Sequence, residues 1–293
     1  MNLIDVFTRF PTEERCIEHL EAVRWPDDAA TCPHCGSDHV ARKQENHRIG
    51  RWNCHGCGSS FNALSGTIFQ KTKMPLQKWF LAIALVINAK KSLSSCQLAR
   101  DLDLNQKTAW YMQHRIRSQM AGEQKELLHG IVEADETYVG GKPPEELGHH
   151  GTERTTRPRG TSKIPVIGAV ERSGNVHAKV ADDLTGKGIL RFVQGNVDPE
   201  ASVLITDEFS AYNAIDRMMA HAVIDHGRRW ADGDIHTNTI EGVWSLIKRA
   251  FYGTHHHYSL KWMPMFIAEA CWKYNHRREN GTAFSGFMRG CFA

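Results

Sequence analysis

Apolar positions change their period several times along the chain, and each change marks an element. Ile17, Leu20 and Val23, with Cys16, recur at helical spacing and stop at Trp25-Pro26, which predicts a helical lead-in over 1–30. A dense apolar run, WFLAIALVI over 79–87, lies in a predicted helix over 76–89 opened by Pro75. Ser94 or Ser95 can cap a short helix to Arg100, and a turn over 101–104 leads to a second helix over 105–118 with apolar Ala109, Met112 and Ile116. From 129 onward the pattern becomes strand-like. IVEADETYV (131–139) is followed by 164–171 and 176–180, joined through Ser173-Gly174-Asn175 as a hairpin. A helix over 184–197 capped by Thr185 comes next, then a buried strand over 203–206 with Asp207 at its end, a helix, and a strand over 222–224. Helices over 236–251 and 262–276 complete the pattern. The stretch 142–163 is rich in Pro, Gly and charge and has no apolar period, so it is expected as a surface loop.

The segment 236–251, HTNTIEGVWSLIKRAF, divides into two faces. Ile240, Val243, Ile247 and Ala250 form a core-packing surface. Glu241 and Lys248 are seven positions apart and share another stripe, flanked by Asn238 and Ser245; Asn238, or Thr237 before it, is the expected N-cap. A carboxylate and an ammonium are thus held in fixed order on a helix whose other side is buried. Two further carboxylates stand at strand ends, Asp135 in GIVEADETYVGGK and Asp207 in SVLITDEFSAY. Three carboxylates from two strand ends and a helix make the donor set of a two-metal phosphoryl-transfer site.

At 293 residues the chain has room for two or three domains. The net charge is only +3, but from Arg42 to Arg117 there are 13 Lys/Arg against 3 Asp/Glu, the footprint of a nucleic-acid partner. The longest apolar run is too short to span a bilayer, so no membrane partner is expected. The start, MNLIDVFTRFPTEERC, lacks the basic and apolar regions of a secretory signal, and a cytoplasmic location is expected.

Eight cysteines in that compartment argue against a disulfide framework. Cys32-Pro-His-Cys35-Gly and Cys54-His-Gly-Cys57-Gly, 18 residues apart, match one structural four-cysteine zinc site, with Gly36 and Gly58 making the knuckle turns. Short strands between the pairs predict a zinc ribbon over 31–70. Cys16, Cys96, Cys271 and Cys291 are expected as buried thiols or surface bystanders. The helical region 71–128 that follows carries the helix-turn-helix pattern. Gln106, Lys107, Gln113, Arg115 and Arg117 on its second helix are the candidate DNA contacts.

The element order over 129–293 is mixed α/β and is that of a ribonuclease-H-like fold. In that fold the strands bearing Asp135 and Asp207 are neighbours, and the helix bearing Glu241 crosses their end. Crowded carboxylates imply divalent cations, and an all-oxygen set suits two Mg²⁺ ions, with Mn²⁺ as a substitute. Lys248 is expected near the DNA backbone or scissile phosphate, and Asn238 is the next candidate for the same pocket. Glu133, Glu136 and Glu208 are alternative acids, Glu133 sharing a strand face with Asp135.

The blocks DETYVGGK (135–142), TDEFSAY (206–212) and HTNTIEGVWSLIKR (236–249) resemble the catalytic blocks of bacterial insertion-sequence transposases of the DDE superfamily. The nearest group is the one related to the Merlin transposons, which carries an N-terminal zinc ribbon. GTHHH (253–257) and YNHRR (274–278) resemble that group's tail. The resemblance implies that Asp135, Asp207 and Glu241 are the DDE triad. It also implies a protein that binds the terminal inverted repeats of its element, cleaves there and joins the ends to target DNA, as a homodimer or larger assembly. Two other functions fit the same residues: a ribonuclease-H-like nuclease or resolvase, and a transposase-derived DNA-binding regulator.

Overall fold

The structure, a computed structural model, describes residues 1–43, 50–123, 126–140, 163–224, 235–279 and 281–292. The expected surface loop lies outside the described residues except for Lys163. The chain forms two compact units, one of 1–123 with 276–293 and one of 124–275.

In the first unit, α1 (Leu3–Arg9) is opened by a capping box of Asn2 and Asp5, and α2 (Glu13–Arg24) by Thr12. Strands β1 (Val40–Arg42), β2 (Arg51–Cys54) and β3 (Ser60–Asn62) form an antiparallel ribbon in that order. Helix α3 (Leu76–Asn88) buries eight of its residues, Trp79 and Phe80 among them, so it is apolar on more than one face and serves as the core of this unit. Ser94 caps α4 (Ser95–Asp101) and Asn105 caps α5 (Gln106–Gly122), each accepting from the third residue beyond it.

The last helix, α9 (Ala283–Gly290), belongs to this same unit. Phe284 meets Phe80 edge-on at 6.0 Å, and Gln119 donates to the carbonyl of Gly290. The tail therefore belongs to the first unit, whereas the sequence groups it with the region from 129 onward. Phe284, Phe287 and Met288, at spacings of three and four, need an apolar partner, and α3 supplies one.

The second unit is a five-stranded sheet: β4 (Leu128–Val139), β5 (Ile164–Glu171), β6 (Val176–Val180), β7 (Val197–Asp207) and β8 (Ala220–Ile224). The spatial order is β6-β5-β4-β7-β8, antiparallel from β6 to β4 and parallel from β4 to β8. This is the ribonuclease-H-like arrangement. Strand β4 alternates: Val132 and Ala134 enter a core with Ile189, Phe192 and Val193 of α6 (Gly186–Gln194). Val139, two pleats beyond Asp135 on the opposite face, enters a core with Ile240, Val243 and Ile247 of α7 (Asn238–Ala250) and Ile267 of α8 (Met263–Asn275). The helix expected between β7 and β8 is instead two short 3₁₀ turns, Ser210–Tyr212 and Ile215–Arg217. Beyond α7 the chain makes one π-turn over Phe251–His255 and stops at His256, whose φ is +59°. No helix among the described residues is long and apolar enough to cross a membrane.

Candidate active site

The parallel pairing of β4 with β7 sets Glu133 opposite Ile205. Asp135 and Asp207 lie two residues beyond that pair on their strands, so both side chains leave the sheet on the face that α7 covers. Carboxylate oxygens of Asp135, Glu136 and Asp207 all lie within 4.8 Å of one another. The Tyr212 hydroxyl donates to Glu136 Oε2 at 3.3 Å. Asp207 Oδ1 accepts from the Phe209 amide. Burial pushes the Asp135 carboxyl up to about 6; the Trp244 indole works against that shift, and the charges of Asp207 and Glu241 add to it. The same burial and the neighbouring Glu136, Asp135 and Asp207 hold the Tyr212 phenol well above its ordinary range.

Glu241 is exposed in the first turn of α7 and reaches Asp135 as a neighbouring charge, while Glu136 is the acid that closes the oxygen cluster. Asn238 is exposed as the first residue of α7, and Lys248 is half-buried in its last turn. Glu208 is exposed outside the oxygen cluster. Glu133 is fully buried. Thr237 begins α7 without capping it through its side chain.

Trp244, one turn after Glu241, donates from its indole Nε1 to Asp135 Oδ2 at 2.8 Å. Its ring lies over β5 at Gly168, where a Cβ would come within 2.5 Å of Trp244 Cη2. Gly168 is needed for this close approach. The oxygen-only cluster fits Mg²⁺, whose facing ligands in an octahedral shell stand about 4.2 Å apart.

The two cysteine knuckles repeat one another. The Cys32 amide donates to the Ser37 carbonyl and the Cys54 amide to the Ser59 carbonyl, both at 2.9 Å. Gly36 and Gly58 close the turns at φ of +73° and +71°. All four Sγ atoms lie within 4.8 Å of one another, with Cys32–Cys57 at 3.8 Å and Cys35–Cys54 at 3.6 Å. Tetrahedral zinc with Zn–S bonds of about 2.3 Å sets sulfurs about 3.8 Å apart. The four cysteines are positioned for a zinc site. Ser59 holds the Cys57 thiol down to about 6, while hydrogen bonds with Cys57 and Cys54 push the Cys35 thiol up to about 12, so without a cation the cluster shares its protons unevenly. Of the other cysteines, Cys16, Cys271 and Cys291 are buried and Cys96 is exposed.

The family described as ISXO2-like transposase domain matches residues 127–275, and the transposase zinc-ribbon domain matches 11–60. The chain belongs to the ISXO2-like transposase family. An uncharacterized protein in transposable element ISH50 of Halobacterium salinarum is 31% identical over 256 residues, 82% of this chain and 83% of that protein. Among solved structures, a pre-cleavage Mos1 transpososome is 14% identical with a TM-score of 0.25, covering 76% of this chain and 82% of that one. A Mos1 strand transfer complex is 13% identical with a TM-score of 0.27, covering 74% and 78%. The family match ends at 275, where the second unit of this transposase also ends.

The second helix of the transposase's helix-turn-helix divides the five candidate DNA contacts. Gln106 and Lys107 are exposed in its first turn. Gln113 and Arg117 are buried in the helical unit, and Gln113 Nε2 donates to the Leu93 carbonyl at 2.8 Å. Arg115 donates to the Tyr111 hydroxyl at 2.6 Å and to the Thr67 carbonyl at 2.9 Å. Gln113 and Arg117 follow the apolar residues into the interior, so neither is offered to a groove. Tyr111, exposed on the same helix, was not among the sequence candidates.

Proposed function

We propose that this transposase binds the terminal inverted repeats of its element, cleaves the DNA there by metal-dependent hydrolysis and joins the 3′-hydroxyls to target DNA. The observation that carries this reading is the oxygen cluster of Asp135, Glu136 and Asp207 at the end of the parallel strand pair, with Glu241 facing it from α7. Asp135, Asp207 and Glu241 hold two Mg²⁺ ions (Mn²⁺ can replace them), and Glu136 completes or orients the set. Bound ions of this kind activate a water or a 3′-hydroxyl and stabilise the leaving oxygen of an in-line displacement. Trp244 keeps Asp135 aimed at the site. Lys248 sets its ammonium against the phosphate backbone, and Asn238 donates to the same pocket.

The zinc ribbon, with one structural Zn²⁺, and the helix-turn-helix hold the double-stranded repeat. Gln106 and Lys107 approach the major groove, and Arg115 orders the helix behind them. Joining two ends in concert requires a homodimer or larger assembly on DNA, which acts in the cytoplasm at the nucleoid. The test is a cleavage and strand-transfer assay with the zinc-loaded protein, its own flanking ends, and Mg²⁺ present or withheld. Metal-dependent joining that is lost in Asp207→Asn is the expected result. Cleavage without joining would assign the site to a resolvase-like nuclease, and end binding without cleavage would assign the protein to DNA-binding regulation. Light scattering on the paired-end complex tests the assembly, and one protein per complex would contradict it.

A further inference from the structure

Glu133 precedes Asp135 by two residues on the same face of β4, which made it a rival metal ligand in the sequence. Its surroundings point elsewhere. Oε1 accepts from Arg172 Nε at 2.7 Å and from Thr239 Oγ1 at 2.8 Å. Oε2 accepts from the backbone amides of Thr239 at 2.7 Å and Ile240 at 3.0 Å. These are the second and third residues of α7, whose own N-cap, Thr237, makes no side-chain capping bond. The buried strand residue thus caps the helix, and it places a negative charge where helix amides converge. Arg172, in the β5–β6 turn, neutralises that charge and donates to the His236 carbonyl at 3.0 Å, fixing the approach to the helix.

A second attachment repeats the pattern one pleat further along β4, where Asp135 accepts from Trp244. The step from Glu133 to Asp135 is about 6.8 Å of strand. The step from Thr239 to Trp244 is about 7.5 Å of helix. The two periods match, so consecutive same-face carboxylates of one strand grip the helix at two points. Such a grip fixes both its position along the strand and its rotation. Glu241 lies between the two points.

We propose that Glu133 is a positioning residue for the metal site: it sets the start and rotation of α7 and so presents Glu241 and Asn238 to Asp135 and Asp207. This rests on the metal-site reading above, and the test separates the two. The full zinc-loaded chain is titrated with Mn²⁺ alone, free Mn²⁺ being counted by electron paramagnetic resonance, and unfolding is recorded in parallel. Glu133→Gln, keeping cooperative unfolding and its zinc, is expected to bind Mn²⁺ at the acidic site about tenfold more weakly. Thr239→Ala removes one bond to Oε1 without touching the carboxylate, and a loss of roughly threefold is expected.

Unchanged Mn²⁺ affinity in both variants would overturn the proposal. Binding abolished in Glu133→Gln as in Asp135→Asn, with Thr239→Ala unaffected, would also overturn it by making Glu133 a ligand. If Glu133→Gln does not fold, Thr239→Ala decides alone. Wild-type protein that binds Mn²⁺ but joins no DNA ends would remove the strand-transfer reading and leave the positioning role to be judged on these affinities.

Discussion

The Trp244 indole donates to the Asp135 carboxylate across the interface between α7 and the sheet. A neutral donor holds a half-buried acid that also faces the charges of Asp207 and Glu241. The indole favours the ionised form without neutralising it, so the carboxylate remains available to a cation. Orientation and electrostatics at Asp135 therefore both depend on a side chain that belongs to the hydrophobic core.

Trp244→Phe should keep most of the packing and remove the donor. The Asp135 carboxyl then rises above about 6, and Mn²⁺ binding at neutral pH should weaken about tenfold. Part of the loss should return at higher pH, because proton competition is one of its two causes. Mn²⁺ titrations at several pH values check this; a loss of the same size at every pH would leave orientation as the sole cause.

Gly168→Ala should act through the same indole. The added Cβ would meet Trp244 Cη2 at 2.5 Å, inside any tolerated contact, and overpacking of this kind costs about 1–3 kcal/mol. In a Trp244→Phe background the clash is relieved and the cost should shrink. A double-mutant cycle read by denaturant unfolding measures the coupling, and additive effects would refute the contact.

The fold and the acid-bearing strand ends are legible in the sequence because they follow from local rules. Alternation along 131–139 and the buried run ending at Asp207 place both acids at strand ends, and the Cys-x-x-Cys-Gly repeat fixes both knuckles. What escaped depends on pairing in space. Glu133 and Asp135 have the same residue chemistry and the same face, and only the arrival of the α7 amides makes one of them a cap. Gln113 and Arg117 look like surface residues by type, yet the turn of the helix carries them inward. The attachment of α9 to α3 joins residues about 200 positions apart, which no local period can reveal.

Stability without metal should fall as pH rises through the interval from about 4 to about 6. Asp135 has a folded-state pKa above the ordinary carboxylate value, so over that interval the native chain holds a proton that the unfolded chain releases. The contribution is fully present below the unfolded pKa and lost above about 6. Mg²⁺ should reverse the slope by favouring the ionised acid, so its stabilisation should be larger at pH 7.5 than at pH 5.5. Thermal unfolding with and without Mg²⁺ at the two values tests the sign, and Asp135→Asn should abolish the difference.

Zinc removal should act on the first unit and spare the second. The ribbon has three short strands with Phe61 and Cys54 as buried residues, too little apolar surface to hold itself. Structural zinc contributes on the order of 10 kcal/mol in small sites of this kind. Cys35→Ser or a strong chelator should therefore eliminate the bound zinc and lower the first unit's calorimetric transition. The transition of the sheet unit should stay in place. Movement of both transitions together would show that the two units unfold as one.

Burial on α5 separates two residues that look alike in sequence. Lys107 is exposed in its first turn, and its replacement by alanine should weaken binding to any duplex while lowering the salt slope by about one. Gln113 donates inward to the half-buried Leu93 carbonyl, so Gln113→Ala removes that bond and should cost about 1 kcal/mol of first-unit stability. Its effect on DNA affinity should vanish once the fraction folded is accounted for. Salt-dependent binding isotherms and unfolding curves on the two variants check both statements. A reduced salt slope in Gln113→Ala with stability unchanged would contradict the interior placement of that side chain and restore it to the DNA face.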